Sequence, residues 1–292
     1  MIRIITDSTC DITLEEAESL GINIIPLTIH FENEEYRDGI DITKEAFYDQ
    51  LKKCSQLPTT SQASPIVFED IFEKYTANGD EIVGIFISSE LSGTFQSASI
   101  AAANIESRNI FLVDSRNVSI GTAVLVREAV KFRDNGLSAE QIATACERLT
   151  DRIKVVAMVE SLKYLKMGGR LSQTSALVGT LLHINPVISI VDGKVEVIGK
   201  TRGTKSAYTA MINYIKANEA DCSHVFIYGH ADAKASMEEF VRRSQEYTKE
   251  CTTAYGEIGA VVGTHLGPGA VGIAYVVQEE SGIKREKEEC CA

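Results

Sequence analysis

Hydrophobic and polar positions in the first half of the chain follow the rhythm of a strand followed by a helix. Short β-branched runs predict strands, and apolar residues spaced three and four apart after polar caps predict helices. The first strand covers 2–6, and Thr13 with Glu16 predicts the start of a helix that ends near Gly21. The other predicted strands are 22–29, 82–87 and 110–113, and the other predicted helices are 43–53, 65–77, 94–105, 119–134 and 138–149. This alternation predicts a mostly parallel sheet covered on both faces.

The pattern changes after about residue 152. Asp192-Gly193 lies between two alternating runs, which predicts a hairpin over 187–198. The remaining elements predict an α+β arrangement: a strand in 153–160, a short helix in 161–172 broken by Gly168-Gly169, helices 204–217 and 233–249, and strands 224–228 and 252–258. We therefore predict an α/β protein with two lobes, in which 1–155 form the N-terminal domain, 156–282 form the C-terminal domain, and 283–292 form a solvated tail.

Composition narrows the class of protein. The 292 residues are 44% hydrophobic and 24% charged, which is typical of a globular protein. The net charge of -12 leaves no basic footprint, so we expect no nucleic acid partner. No apolar run approaches the roughly 18 residues of a membrane span, although a transient membrane contact is compatible with the sequence. The seven cysteines include no C-x-x-C pair, so we expect free thiols and a cytoplasmic location.

Most motifs that carry catalytic chemistry are missing. The sequence contains no Walker A string, no H-E-x-x-H and no G-x-S-x-G, and its five histidines have no carboxylates at ligand spacing. We therefore expect neither a metal nor a cofactor. The string at 267–272 matches G-x-G-x-x-G but leads into a strand-like run, whereas a dinucleotide fingerprint opens a helix. We interpret its glycines as a tight loop, with Thr264 and His265 just upstream as candidate functional residues.

Polar loops after strands and at glycine-rich turns are the remaining candidates for a binding site. They cover 59–62, 88–94, 168–172 and 263–269. In parallel sheets ligands bind at the carboxyl ends of strands, and the loop 88–94 leads to a helix N-terminus whose free amides favour an anion. Hydroxyls of Thr60, Ser61 and Ser92 can join those amides. Because the first two loops carry no Lys or Arg, we expect a single carboxylate held by neutral donors.

Each candidate residue also has a purely structural interpretation. Thr60 and Ser61 are also explained as loop hydroxyls before a helix cap, and Ser92-Gly93 as a turn and cap. Arg170 and Arg202 are also explained as solvated surface charges, and His265 as a turn histidine with its hydrogen bonds satisfied. No single loop decides between the two interpretations.

Taken together, these loops resemble the DegV family of fatty-acid-binding proteins, the acyl-carrying subunits of bacterial fatty acid kinase. The resemblance runs in order from about residue 2 to 280, with one departure at Ala63, where the family often has proline. The matching strings are ITDSTCDI at 5–12, TTSQAS at 59–64, ISSELSGTFQSA at 87–98, VDSRNVSIGTA at 113–123, SLKYLKMGGRLS at 161–172, NPVISIVDGKV at 185–195, GKTRGT at 199–204 and GTHLGPGAVG at 263–272.

The resemblance implies a two-lobed α/β fold with one long-chain fatty acid buried between the lobes. It implies that Thr60 or Ser61, Ser92 with Gly93, and His265 hold the carboxylate. It implies that Arg170 and Arg202 contact a partner kinase subunit or the new phosphate. The ATP-dependent kinase subunit would phosphorylate the bound carboxylate, and the chain itself would have no catalytic residue. Candidate tunnel segments are 24–25, 176–178 and 181–182, which ordinary core packing also explains.

Two rival hypotheses remain at this stage. One is a serine- or histidine-dependent acyl hydrolase, although no base with an orienting partner is recognisable around Ser92. The other is a regulatory or interaction module whose ligand is only structural. Under that hypothesis, loss of Arg170 or Arg202 would leave lipid-dependent phosphorylation unchanged.

Overall fold

The computed structural model describes residues 1–32, 34–105, 107–171 and 184–279. The first part of the chain alternates strands and helices as predicted. Its strands are β1 (Ile2–Asp7), β2 (Ile22–Ile25), β3 (Thr28–Phe31), β4 (Glu34–Arg37), β5 (Thr59–Ser61), β6 (Glu81–Phe86) and β7 (Ile110–Asp114). Its α-helices are α1 (Leu14–Leu20), α2 (Lys44–Lys53), α3 (Pro65–Thr76), α4 (Thr94–Asn104), α5 (Ile120–Asp134) and α6 (Ala139–Thr150).

Four of these strands form a parallel sheet, which confirms the predicted fold class for this lobe. The strand order is β2-β1-β6-β7, and β1 lies at its centre between β2 and β6. Strand β1 is buried toward its carboxyl end, where Asp7 begins a 3-10 helix over Ser8–Cys10. Helix α1 begins after Thr13, whose hydroxyl accepts from the Glu16 amide, and it ends at Gly21 with φ of 61°. The capping residues therefore act where the sequence predicted them.

A second, three-stranded antiparallel sheet corrects two predictions. We expected one strand over 22–29, but strand β2 ends before Pro26, and β3 pairs with β4 and β5 instead of continuing β2. Proline lacks the amide hydrogen that a ladder needs, which explains the break. We also expected 59–62 to be a loop, whereas Thr59–Ser61 form strand β5. A strand of three residues at a sheet edge is too short to show a period in the sequence.

The C-terminal part forms a mixed sheet, also as predicted. Its strands are β8 (Ile153–Met158), β9 (Asn185–Val191), β10 (Lys194–Thr201), β11 (Phe226–His230), β12 (Thr253–Glu257) and β13 (Val271–Val276). Its helices are α7 (Lys163–Met167), α8 (Thr204–Ala217), α9 (Lys234–Thr248) and α10 (Ala260–Leu266). The strand order is β10-β9-β8-β13-β11-β12. Asp192 and Gly193 both have positive φ at the β9–β10 turn, as a type I′ hairpin requires.

The prediction of a loop over 263–269 is wrong for the residues before Gly267. Thr264 and His265 lie in helix α10, and the Thr264 hydroxyl donates to the Ala260 carbonyl within that helix at 2.9 Å. The string that starts at Gly267 does lead into β13 and not into a helix, as the sequence predicted. Gly267 and Gly269 have positive φ, and a Cβ at either position would lie 2.2 Å from the side chain of Tyr164 or Glu160, respectively. These glycines allow the loop to pack against the residues before and within α7.

Helix α5 packs against both the four-stranded parallel sheet and the mixed C-terminal sheet, and this shared packing holds the lobes together. Side chains of α5 and α6 pack in one apolar cluster with Ile4 of the N-terminal sheet and with Val155 and Ala274 of the C-terminal sheet. Strand β8 of the C-terminal sheet begins at Ile153. The division of the chain into 1–155 and 156–282 stays a prediction.

The cysteine prediction is wrong at one pair. Cys222 and Cys251 form a disulfide, with Cα atoms 4.6 Å apart, whereas Cys10, Cys54 and Cys146 are free. The two partners lie 29 residues apart in sequence, so only the packing of the segments around α9 brings them together. Cys290 and Cys291 lie outside the described residues. Among the helices that the structure describes, none is both long and apolar enough to cross a bilayer.

Candidate functional site

A cavity of about 370 Å³ lies between the two lobes and is lined by residues of both. Its lining is mainly aliphatic, with contributions from Ile87, Val118, Ile188, Val261 and others. Ile24 and Ile25 do not line it and pack in the apolar clusters of the core, which was the alternative interpretation of that candidate tunnel segment; 176–178 and 181–182 lie outside the described residues. Six of the seven predicted site residues do line it, and we call them the polar cluster: Thr60, Ser61, Ser92, Gly93, Arg170 and His265.

Strand β5 places Thr60 and Ser61 at the cavity. Thr60 pairs with Ile29 of β3, and neighbouring side chains of a strand point to opposite faces. The Thr60 hydroxyl lies 2.8 Å from His265 Nε2, whereas the Ser61 hydroxyl lies 2.9 Å from His30 Nε2. The structure therefore distinguishes the two hydroxyls that the sequence left equivalent. Thr60 is bonded to another member of the polar cluster, and Ser61 to a histidine outside it.

Ser92 and Gly93 come from the loop that joins β6 to α4. The Ser92 hydroxyl lies 2.9 Å from the Thr94 hydroxyl and accepts from the Thr94 amide at 3.3 Å. Gly93 is the residue before α4, so free amides of the first helical turn lie at this point. A Cβ on Gly93 would lie 2.0 Å from the Gln62 side-chain oxygen, so only glycine leaves room for Gln62. The loop therefore presents a hydroxyl and amide donors to the cavity.

Arg170 joins the two lobes beside this loop. Its Nε donates to the Leu91 carbonyl at 3.1 Å, and its Nη1 donates to the Gly168 carbonyl at 2.6 Å. Gly169, with φ of 69°, makes the turn that brings the guanidinium back over the end of α7. Two carbonyls occupy two of its five donors, which leaves the group able to bind an anion.

His265 is half-buried and neutral. Burial, and after it the charge of Arg170, lowers the pKa of His265 to about 4. Its Nδ1 is buried and has no hydrogen-bond partner in the described part of the chain. The ring packs against Gly168, where a Cβ would lie 2.2 Å from Nδ1. With the ring uncharged, an Nε2 that carries the proton donates to the Thr60 oxygen and leaves the Thr60 hydroxyl hydrogen free to point into the cavity.

The structure does not bring Arg202 to this cavity. Arg202 is exposed between β10 and α8 and is not among the lining residues. The sequence placed Arg170 and Arg202 in one functional class, but only Arg170 belongs to the polar cluster. The role predicted for Arg202, contact with a partner, is compatible with exposure and stays a prediction.

Sequence reasoning missed three buried aspartates, two of which hold the helix of His265. Asp11 accepts from the Gly259 amide at 2.8 Å, and Asp38 accepts from the Ala260 amide at 3.1 Å, so two N-terminal residues cap α10. Asp7 accepts from the amides of Thr9 and Ile87, both at 2.9 Å. For Asp7 and Asp11 the available signal was the string DSTCD after a buried strand, because carboxylates at that position must find donors.

Burial raises the pKa of all three carboxyl groups, that of Asp11 to about 7. For Asp11, the nearby Lys44 charge and the Ser119 hydroxyl act in the opposite direction. The Lys44 ammonium also donates to the Glu257 carbonyl, and the Tyr48 hydroxyl donates to the Ile258 carbonyl, so α2 is bonded to the segment before α10. These groups form a scaffold under α10 and not a metal site: the described residues include no group of three or more candidate metal ligands.

Comparison with known proteins finds relatives that match nearly the whole chain. A family model described as "Uncharacterised protein, DegV family" matches residues 1–278. A DegV domain-containing protein of Caldanaerobacter subterraneus subsp. tengcongensis is 34% identical, and the match covers 94% of this chain and 98% of the relative. The resemblance predicted from the loop strings is thereby confirmed.

Solved structures of similar proteins share the whole fold. A DegV family protein of Thermus thermophilus, described as fatty acid binding, superposes with a TM-score of 0.85 at 29% identity, covering 94% of this chain and 99% of that one. A stearic acid-binding protein of Eubacterium ventriosum superposes with a TM-score of 0.83 at 28% identity, covering 95% and 98%. The two-lobed fold is therefore one on which fatty acids are bound.

Proposed function

The chain belongs to the DegV family, and we propose that it binds one long-chain fatty acid in the cavity between its lobes. We propose further that it presents the carboxylate to a separate kinase subunit, which phosphorylates it to an acyl-phosphate. The observation that carries the proposal is the cavity of about 370 Å³, in which a mainly aliphatic lining is combined with the polar cluster. A site of this size and lining suits a ligand with one polar end and a long apolar body.

In this proposal the carboxylate is held by neutral donors. The hydroxyls of Thr60 and Ser92 and the amides that follow Gly93 supply hydrogen bonds, the His265 ring orients the Thr60 hydroxyl toward the ligand, and Ser61 lies at the edge of the same group. The lowered pKa of His265 supports this assignment, because a neutral imidazole donates a hydrogen bond without forming an ion pair. A carboxylate held in this way keeps its charge accessible, so an oxygen remains able to attack a phosphoryl group.

Most of the affinity comes from the acyl chain. Burying a sixteen-carbon tail at ~0.8 kcal/mol per methylene contributes on the order of 12 kcal/mol before the costs of association and ordering. That gross figure is enough for tight binding without a buried ion pair at the carboxylate. The polar cluster therefore orients the head group, while the aliphatic lining retains the ligand.

The two arginines take different roles. Arg170 lies in the polar cluster and suits the more highly charged phosphate of the product, because a guanidinium binds phosphate through two parallel hydrogen bonds. Arg202 is exposed and suits contact with the kinase subunit. Because it is not among the residues that line the cavity, we assign it to docking and not to ligand binding.

An acyl hydrolase fits the polar cluster less well. The contact between Thr60 and His265 does pair a hydroxyl with an imidazole, as a hydrolase requires. A pKa of about 4, however, makes His265 a weak base at neutral pH, and the described residues offer its Nδ1 no orienting partner. Ser92 is bonded to Thr94 and not to a histidine. We therefore propose no turnover by this chain alone and no cofactor besides the ligand, in a cytoplasmic location where ATP is available to the partner.

Mass spectrometry of an organic extract tests the binding step. The purified protein is denatured and extracted, and we expect close to one long-chain fatty acid for each chain. Ser92→Ala should lower retention, because it removes a donor at the head group. Ser89→Ala is the matched control, since Ser89 lies in the same loop but bonds to Asp114. If the wild-type protein carries no fatty acid and added palmitate neither binds nor raises the melting temperature, the proposal is wrong.

Phosphorylation of the bound ligand tests the second step. The loaded protein is mixed with ATP and a purified fatty acid kinase subunit, and acyl-phosphate is trapped with hydroxylamine. Arg202→Ala should reduce product formation while fatty acid retention stays unchanged. Arg242→Ala, which removes another exposed arginine on α9, is the control. Equal product from both variants would remove Arg202 from the proposed docking surface.

A further inference from the structure

A second cavity shares one lining residue with the first. It has a volume of about 320 Å³ and is lined mostly by polar residues, among them Arg116 and Asn117 before α5, Lys154 of β8, Asp192 of the β9–β10 turn and Tyr214 of α8. None of these polar residues lines the first cavity. The two spaces therefore differ in chemistry, one mainly aliphatic and one polar, although they lie side by side.

Ile190 is the residue that the two linings have in common. It lies in strand β9, next to the hairpin turn, and pairs with Val195 of β10. Its side chain packs against the apolar cluster around the first cavity and also against the cluster around α5. The preceding residue, Ser189, donates to the Val155 carbonyl at 2.7 Å and lies 3.1 Å from the Tyr214 hydroxyl. The polar groups at this wall are thus bonded to the protein, and an aliphatic side chain separates the cavities.

The geometry points to Ile190 as a specificity-determining residue that closes the acyl cavity toward the polar cavity and so excludes fatty acids with a polar group on the tail. This inference rests on the proposed function. A hydroxyl at the end of an acyl chain loses its hydrogen bonds to water in the aliphatic cavity, and the groups that could replace them lie beyond Ile190. An unmodified tail loses nothing by stopping at the wall.

Removal of the wall should therefore change the choice of ligand. In Ile190→Ala the two cavities join, and a tail hydroxyl can reach the polar lining of the second cavity. We expect the affinity for 16-hydroxyhexadecanoic acid, relative to palmitic acid, to rise at least tenfold. Ile190→Thr keeps a β-branched side chain on the strand and should change the ratio in the same direction by less.

Ile188→Ala is the matched control. Ile188 lies two positions earlier on the same strand and lines only the first cavity, so its loss enlarges that cavity without opening the wall. We expect this variant to weaken binding of both acids alike and to leave their affinity ratio unchanged.

Competition between the two acids at equilibrium measures the ratio for the wild type and the three variants. An equal ratio in wild type and Ile190→Ala, or an equal rise in Ile188→Ala, would overturn the inference. If Ile190→Ala does not fold, Ile190→Thr decides the question by the same ratio. A wild-type protein that binds palmitic acid with no change of ratio in the variants contradicts the role of Ile190 alone. A wild-type protein that binds neither acid contradicts the proposed function itself.

Discussion

The two ends of helix α10 differ in how completely their polar groups are bonded. At the start, the amides of Gly259 and Ala260 donate to Asp11 and Asp38, which are only 8% and 6% exposed. At the end, His265 is half-buried at a cavity, and its Nδ1 has no partner in the described residues. Fully bonded buried groups are typical of a scaffold, whereas polar groups with unused bonding capacity beside a cavity are typical of a ligand site.

Removal of the cap at the start of α10 should have the largest effect. Asp38→Ala leaves the buried amides of Ala260 and Val261 without an acceptor. We expect the free energy of unfolding to fall by about 3 kcal/mol, measured by denaturant unfolding. Thr13→Ala, which removes the exposed cap of α1, should cost about 1 kcal/mol. Equal costs for the two substitutions would mean that the start of α10 is no more critical than an exposed helix end.

The pH dependence of stability should have opposite signs at the two ends. The pKa of His265 is lowered to about 4 in the folded protein, so as the pH falls the unfolded chain takes up this proton before the folded protein does. The contribution of His265 to the free energy of unfolding is therefore lost as the pH falls from about 6.5. The pKa of Asp11 is raised to about 7, so its contribution is present at acid pH and is lost as pH rises through 7. Each slope is at most about 1.4 kcal/mol per pH unit.

Unfolding at a series of pH values separates these contributions. Relative to wild type, Asp11→Asn should make stability rise more steeply between pH 4 and 7. His265→Gln should make it rise less steeply between pH 4 and 6.5. Slopes that change in the same direction in both variants would show that the two ends do not differ in this way.

Loss of one donor at the cavity should weaken ligand binding without unfolding the protein. Thr60→Val keeps the shape of the side chain but removes the hydroxyl that contacts His265. We expect palmitate to bind about fivefold more weakly, because one hydrogen bond contributes on the order of 1 kcal/mol. Thr59→Val, at the exposed neighbouring position of β5, should bind as the wild type does. Isothermal titration with both variants measures the difference, and equal affinities would remove Thr60 from the site.

Displacement of the His265 ring should have the smallest effect. A Cβ at Gly168 would lie 2.2 Å from His265 Nδ1, so Gly168→Ala must push the ring away from Thr60. We expect roughly threefold weaker binding of palmitate, since the ring can partly recover its contact. Gly256→Ala is the control, because no atom lies within 4 Å of its added Cβ. Unchanged binding in Gly168→Ala would show that the ring position does not matter for the ligand.

Much of the candidate site could be predicted because its residues lie in short strings of distinctive residues. The strings around Thr60, Ser92, Arg170 and His265 pointed to residues that prove to line one cavity. Arg202 was grouped with them, but it is exposed and does not line the cavity. A sequence string identifies a residue by its type and its order in the chain. It does not tell whether the side chain faces the cavity or the solvent.

The sequence by itself determined the local elements, since caps, turn residues and apolar periods act over a few neighbours. Helix α1 with its Thr13 cap and the hairpin turn at Asp192 follow from such short-range rules. Only the tertiary structure decided which elements meet. Asp11 caps a helix 248 residues away, and Ile190 separates two cavities built from both lobes. Contacts at that separation depend on how whole sheets pack, and packing depends on the shape of all the side chains at once.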